Sequence, residues 1–329
     1  MEYTRIPGLD ESVSRIALGT WAIGGWMWGG TDEESSIRTI HAALDQGINI
    51  VDTAPVYGFG RSEEIVGKAL VQDGKRQNVV LATKMALEWE SQANKVWRNA
   101  SQDRIRKEVD DSLRRLQTDV LDIYQVHWPD PNTPFAETAK TLGDLRDQGK
   151  IRAVGVSNFS PEQMQAFEQG TELNTCQPPY NIFERGIEAD ILPYCQENNV
   201  ATLTYGALCR GLLTGKMKAD TAFSGDDLRR VDPKFKEPRY SQYLQAVQAL
   251  QKLAQERFGR DVLHMAVRFI LDKGVNVALW GGRRPEQMHP LPQVFGWQLS
   301  AEDFQAIDSI LDQTVTDPVG PEFMAPPAG

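Results

Sequence analysis

Four side chains suited to proton transfer stand just beyond consecutive apolar runs. Residues 48–51 lead into Asp52-Thr53-Ala54-Pro55-Val56-Tyr57-Gly58, residues 79–82 into Thr83-Lys84, and residues 120–124 towards His127-Trp128. A phenol beside an ammonium can act as a general acid. The positive charge favours phenolate and draws a tyrosine pKa down from about 10 towards working pH. A carboxylate can keep the lysine charged and oriented, and a histidine can orient a carbonyl or assist proton transfer. Taken singly, each has a plainer role: a helix cap for Asp52, packing for Tyr57, a solvated charge for Lys84, a hydrogen-bonded structural ring for His127. At the ends of three successive runs, the four together outweigh those roles.

Such a convergence needs parallel strands that end at one mouth. Residues 16–18, 48–51, 79–82, 120–124, 151–156, 175–177, 200–204 and 275–279 read as strands. Near-continuous apolar runs suit parallel strands covered by helices. Amphipathic stretches lie between them. Residues 32–46 place Ile37, Ile40 and Leu44 on one face, with Thr31 or Asp32 as N-cap and Gly47 as the stop. Residues 101–116 do the same with Ile105, Val109, Leu113 and Leu116. Ser160-Pro161-Glu162-Gln163 reads as N-cap, N1 proline and capping box. Strand and helix alternating to eight predict an α/β fold, a (β/α)8 TIM barrel whose site lies where strands end. Residues 218–239 are polar, hold Pro233 and Pro238, and read as a loop, followed by two helical stretches, 240–258 and 261–272. Residues 322–329 read as a loose C-terminal tail over the barrel mouth, and 1–329 as one domain.

Composition narrows the partners. The net charge of −10 repels nucleic acid and anionic lipid. Three cysteines, Cys176, Cys195 and Cys209, make no disulfide framework and fit a reducing, cytoplasmic compartment. No apolar run approaches the ~20 residues of a membrane span, and 1–10 hold no signal-peptide core. The four histidines, His41, His127, His264 and His289, have no ligand spacing, so no metal is expected.

The segment 49–58, followed by Ser62-Glu63-Glu64-Ile65-Val66-Gly67, resembles the signature of the aldo-keto reductase superfamily. Gly19-Thr20, Thr83-Lys84, 122–127, 149–159 and 211–216 stand in family order, so the resemblance runs nearly end to end. It implies a catalytic tetrad of Asp52, Tyr57, Lys84 and His127, with Tyr57 giving its proton to a carbonyl oxygen as hydride reaches carbon.

The tetrad holds no reductant, so a cofactor must carry the hydride. Gly24-Gly25 and Gly29-Gly30 do not supply a G-x-G-x-x-G, so a Rossmann site is not expected. The resemblance implies NADP(H) lying across the mouth, near Gly19, Thr20, Trp21 and Asp52. Ser157, Asn158 and Gln177 would bond the nicotinamide amide, and Tyr205 would stack on its ring. Residues 206–212, including Gly206, Leu208, Arg210 and Gly211, would wrap the pyrophosphate with Lys216. Arg283 and Arg284, beside Gly282, suit a 2′-phosphate at a helix start. Gln287 matches a position near adenine, whereas Pro290 and Leu291 depart from the family pattern there.

Trp21, Trp26, Trp28, Trp89 and Trp128 fall near strand ends and suggest an aromatic-walled pocket for small or apolar carbonyl compounds. Tyr57 and His127 would form its floor. The subgroup resembled is that of bacterial, stress-protein-like and glyceraldehyde-reductase-like enzymes, with glyceraldehyde, methylglyoxal and aromatic aldehydes as candidate substrates. The expected activity is reversible reduction of aldehydes or ketones by a monomeric enzyme. A second role is a cofactor-sensing subunit resembling potassium-channel β-subunits. A third, an isomerase or lyase, would need a metal or a Schiff-base lysine, and Asp52 keeps Lys84 charged and a poor nucleophile.

Overall fold

The computed structural model describes residues 1–72 and 74–329. Eight parallel strands close into a barrel. They are β1 (Ile16–Gly19), β2 (Ile50–Asp52), β3 (Val80–Met85), β4 (Leu121–Val126), β5 (Ile151–Ser157), β6 (Thr175–Gln177), β7 (Ala201–Thr204) and β8 (Val277–Gly281). Each pairs with the next, and β8 returns to β1. Outside stand α1 (Glu33–Asp45), α2 (Arg61–Gln72), α3 (Gln102–Leu116), α4 (Phe135–Asp147), α5 (Pro161–Glu168), α6 (Ile191–Glu197), α7 (Arg239–Phe258), α8 (Val262–Asp272) and α9 (Ala301–Thr314). The expected TIM barrel is therefore present, with α7 and α8 both between β7 and β8.

Local chemistry explains the helix starts. The Asp32 carboxylate accepts from the Ser35 amide at 3.0 Å and caps α1. Ser160 and Gln163 exchange bonds of 3.3 and 2.9 Å in the expected capping box of α5.

Strand alternation separates two cores. Ala17, Ile50, Val80, Ala82, Ile123, Ala153, Ala201, Leu203, Val277 and Leu279 pack together within the barrel. Ile6, Leu9 and Val13, from an N-terminal hairpin (Tyr3–Thr4 with Val13–Ser14), join them and stopper the end opposite the mouth. Leu18, Val51, Leu81, Val126 and Val154 face outward onto the helices.

Several strands run further towards the mouth than their apolar runs. Asp52 pairs across the ladder with Gly19 and Ala82, Lys84 with Gln125, and Ser157 with Gln177. These residues belong to strands, not to the loops after them. The ladder persists because backbone bonding does not depend on side-chain polarity, whereas an apolar criterion stops at the first polar residue.

Three segments cover the mouth. A hairpin (Leu87–Glu90 with Lys95–Arg98) follows β3. The 218–239 loop forms a strap of short 3-10 turns laid on the loop after β1: the Leu228 amide donates to Met27 O at 3.0 Å, and Asp226 accepts from the Met27 amide at 2.8 Å. The C-terminal tail is docked, not loose. The Arg98 amide donates to Pro327 O at 3.1 Å, Arg98 Nε to Pro326 O at 2.8 Å, and Asn132 to Gly329 O at 2.9 Å. Among the described residues, no helix is long and apolar enough to cross a membrane.

Candidate active site

β2, β3 and β4 bring Asp52, Lys84 and His127 to one rim, and the turn after β2 returns Tyr57 among them. That turn is tightly held. Ser62 bonds both Thr53 and Thr20, and Thr20 donates its hydroxyl to Asp52 O at 2.9 Å. Thr20 thus braces the rim rather than offering its hydroxyl to a ligand. A Cβ on Gly58 would lie 2.1 Å from Gly24 O, so only glycine lets the two loops meet.

Lys84 is fully buried and has three acceptors for its three protons: Asp52 Oδ2 at 2.6 Å, Thr53 O at 3.1 Å and Tyr57 Oη at 3.4 Å. Burial lowers its pKa, and the charge and hydrogen bond of Asp52 oppose that fall. The Tyr57 phenol is not drawn down as anticipated. Burial, and then the Asp52 charge, push it well above its ordinary value. The lysine charge is largely cancelled by a carboxylate closer to it than the phenol is. Tyr57 therefore stays protonated, as a proton donor must. His127 stands edge-on to Tyr57 with ring centres 5.7 Å apart. Burial, then the Lys84 charge, hold its pKa well below the ordinary value, so the ring is neutral. Trp21 lies nearly parallel to Tyr57, with ring centres 6.0 Å apart.

A cavity of about 320 Å³ opens over these groups. Trp21, Trp26, Trp128, Tyr57 and His127 line it as anticipated. Trp28 and Trp89 do not: Trp28 meets Trp21 edge-on, and Trp89 packs on Phe59. Their place is taken by residues the sequence did not assign to the pocket. The hairpin adds Leu87, Asn94 and Val96, the strap Leu228 and Val231, and the tail Phe323, Met324, Pro326 and Pro327. The tail lies over the mouth as the sequence suggested, but which side chains tail and strap turn into the cavity carries no local signal.

Ser157, Asn158, Gln177 and Tyr205 also face the cavity. Tyr205 Oη donates to Asn158 Oδ1 at 2.9 Å, which holds its ring upright as a wall. Ser157 gives its hydroxyl to Gln177 O at 2.7 Å, and Gln177 gives an amide proton to Asp52 Oδ1 at 2.8 Å.

The arrangement suits an extended dinucleotide. After β7 the chain turns through positive φ at Gly206, Cys209, Arg210 and Gly211. The amides of Gly206, Ala207 and Leu208 donate to no acceptor among the described residues, a cradle open to phosphate oxygens. Lys216 is exposed nearby in sequence. The Arg210 side chain is committed elsewhere: it is buried in ion pairs with Glu184 and Asp232. Arg283 is half-buried and donates to Trp28 O and Gly30 O, which leaves the exposed Arg284 as the freer cation of the pair. Gln287 accepts from the Arg283 and Arg284 amides at 2.8 and 2.9 Å, so it shapes the turn after Gly282. Leu291 is buried.

The profile described as the aldo/keto reductase family matches residues 15–312. Aldo-keto reductase YhdN of Bacillus subtilis (strain 168) is 59% identical over 328 residues, 99% of this chain and 98% of that protein. The NADH-specific methylglyoxal reductase of Escherichia coli (strain K12) is 37% identical over 89% of this chain and 93% of its own. Among solved structures, the glycerol dehydrogenase AKR11B4 from Gluconobacter oxydans superposes with a TM-score of 0.90 at 55% identity, covering 98% of this chain and 99% of that one. An aldo/keto reductase from Klebsiella pneumoniae in complex with NADP and acetate matches with a TM-score of 0.72 at 27% identity, covering 97% of each chain.

Proposed function

This chain belongs to the aldo/keto reductase family, and from that premise we propose that it reduces small aldehydes and ketones to alcohols with NADPH, reversibly, as a single barrel domain. The donor count at Lys84 carries the proposal. With its three protons directed to Asp52, Thr53 O and Tyr57 Oη, the phenol's own hydrogen is left for another acceptor. A carbonyl oxygen in the cavity is that acceptor. Tyr57 releases its proton to it, Lys84 stabilises the phenolate left behind, and neutral His127 donates an N–H that orients the carbonyl. Reduced nicotinamide, when bound, supplies the hydride.

Ser157, Asn158, Gln177 and Tyr205 would hold the nicotinamide, the 206–208 amides with Lys216 the pyrophosphate, and Arg284 the 2′-phosphate. The relatives bear different cofactor names, one NADH-specific and one solved with NADP. Arg284 inclines this chain to NADPH, since an exposed guanidinium gains a bidentate partner only from the phosphorylated ribose. The apolar walls favour small or aromatic aldehydes. Glyceraldehyde, methylglyoxal and benzaldehyde form the first panel.

NADPH oxidation followed at 340 nm with that panel, and repeated with NADH, tests the proposal. Turnover with NADPH well above NADH is expected, and Arg284→Ala should raise KM for NADPH while leaving that for NADH. Tight NADPH binding without turnover on any carbonyl would overturn the reductase assignment in favour of a cofactor-sensing subunit.

A further inference from the structure

Apart from the Thr175 hydroxyl, the side chains inside the barrel are hydrocarbon until the layer beneath the tetrad. There stand two amides, Gln125 on β4 and Gln177 on β6, 0% and 1% exposed. Burying an amide without partners costs several kcal/mol, so its bonds account for its presence. Gln125 has two partners, and both belong to the site. Its Nε2 lies 3.4 Å from Asp52 Oδ1, and its Oε1 lies 3.5 Å from Gln177 Nε2. Gln177 Nε2 donates to the same Asp52 oxygen at 2.8 Å. Asp52 thus has Lys84 on one oxygen and two amides on the other. The barrel is shaped to admit this pair. A Cβ on Gly155 would lie 2.7 Å from Gln125 Cγ and 2.2 Å from Thr175 Oγ1, so glycine there leaves the room Gln125 occupies.

We propose that Gln125 and Gln177 are positioning residues that hold Asp52 by its second oxygen and, through Asp52, fix Lys84 against Tyr57. The inference rests on the reductase proposal above. A carboxylate bonded on one oxygen alone can rotate about its Cβ–Cγ bond. Bonded on both, it cannot, and Lys84 is held along one line towards the phenol. The same bonds set the flip of Gln177. With its amino group turned inward to Asp52, its carbonyl oxygen remains for the cavity, where it can accept from a carboxamide N–H. Gln125 itself is absent from the cavity lining, so its influence on turnover must pass through Asp52.

The experiment compares wild type, Gln125→Leu and Gln125→Glu. For Gln125→Leu, kcat should fall about ten-fold through misplacement of the donor, while the NADPH dissociation constant from fluorescence titration stays within two-fold. Gln125→Glu separates positioning from packing. Protonated, the new carboxyl donates to Asp52 as the amide did; ionised, it repels Asp52. Its kcat should approach wild type at low pH and fall as pH rises. The unfolding midpoint of the cofactor-free variant should fall in the same direction relative to wild type. Wild-type kcat and pH profile in Gln125→Leu, with wild type turning over, would overturn this inference alone. So would a parallel loss of NADPH affinity and folding in both variants at every pH, which marks a packing role. Wild type without turnover would overturn the reductase proposal and this inference with it.

Discussion

At the residue scale, the site separates proton storage from charge. Lys84 directs its charge to Asp52, so the phenol of Tyr57 keeps its proton, which in the proposed reaction passes to a carbonyl oxygen. Removing that proton donor by Tyr57→Phe should lower kcat by about 10² or more while leaving NADPH binding intact. Equal turnover in the variant would refute the assignment. The low pKa of His127 has a separate consequence. A ring already neutral well below its ordinary value of about 6.5 does not titrate through that range. The kcat–pH profile should therefore be flat between pH 6 and 8, and an inflection there that vanishes in His127→Gln would contradict the neutral ring. Both behaviours stem from burial and neighbouring charge, so residue types alone could name the four groups but not their protonation.

At the element scale, several strands run further towards the mouth than their apolar runs, and the mouth hairpin had no signal in the sequence. The hairpin is tied to α3 through Glu108. This buried carboxylate accepts from the Ala86 amide at 3.1 Å and from Arg104 at 3.1 Å. Arg104 in turn lies over Trp89. Burial, only partly offset by Arg104, raises the Glu108 carboxyl to about 7. The unfolded carboxyl ionises near 4.5. Unfolding therefore releases a proton between those values, and stability falls as pH rises across the window. Glu108→Gln should remove that slope. Its unfolding free energy relative to wild type should climb by roughly 3 kcal/mol from pH 4.5 to 7 and level off above. A difference that stays constant with pH, measured by urea unfolding, would refute the raised carboxyl.

At the scale of the whole molecule, one buried cluster joins segments remote in sequence. Glu184 follows β6, Arg210 follows β7, and Asp232 and Lys234 lie in the strap. Arg210 pairs with Glu184 and Asp232, and Lys234 with Glu184 at 2.8 Å. Lys234 also donates to Gly320 O at 3.1 Å, which brings in the segment that leads to the tail. Two cations answer two carboxylates, all buried. Arg210→Ala would leave two buried carboxylates facing one lysine, and should cost about 3–5 kcal/mol in unfolding free energy. A loss below about 1 kcal/mol would mean that water reaches the cluster.

Much of this was legible in the chain. The alternation of apolar runs with amphipathic stretches determined the barrel, because a parallel strand must be hydrophobic on both faces and a covering helix on one. The spacing of Asp52, Tyr57, Lys84 and His127 against those runs pointed to their meeting at one rim, because a strand's last residues share one rim. Capping chemistry determined the starts of α1 and α5. Tertiary structure decided the rest. It committed the Arg210 side chain to Glu184 and Asp232, put Trp28 and Trp89 behind the cavity wall, docked the tail on Arg98, and laid the strap on the loop after β1. It also set Gln125 and Gln177 against Asp52. Burial and pairing depend on which segments meet in space, and a local pattern of residues carries periodicity but not the identity of distant neighbours.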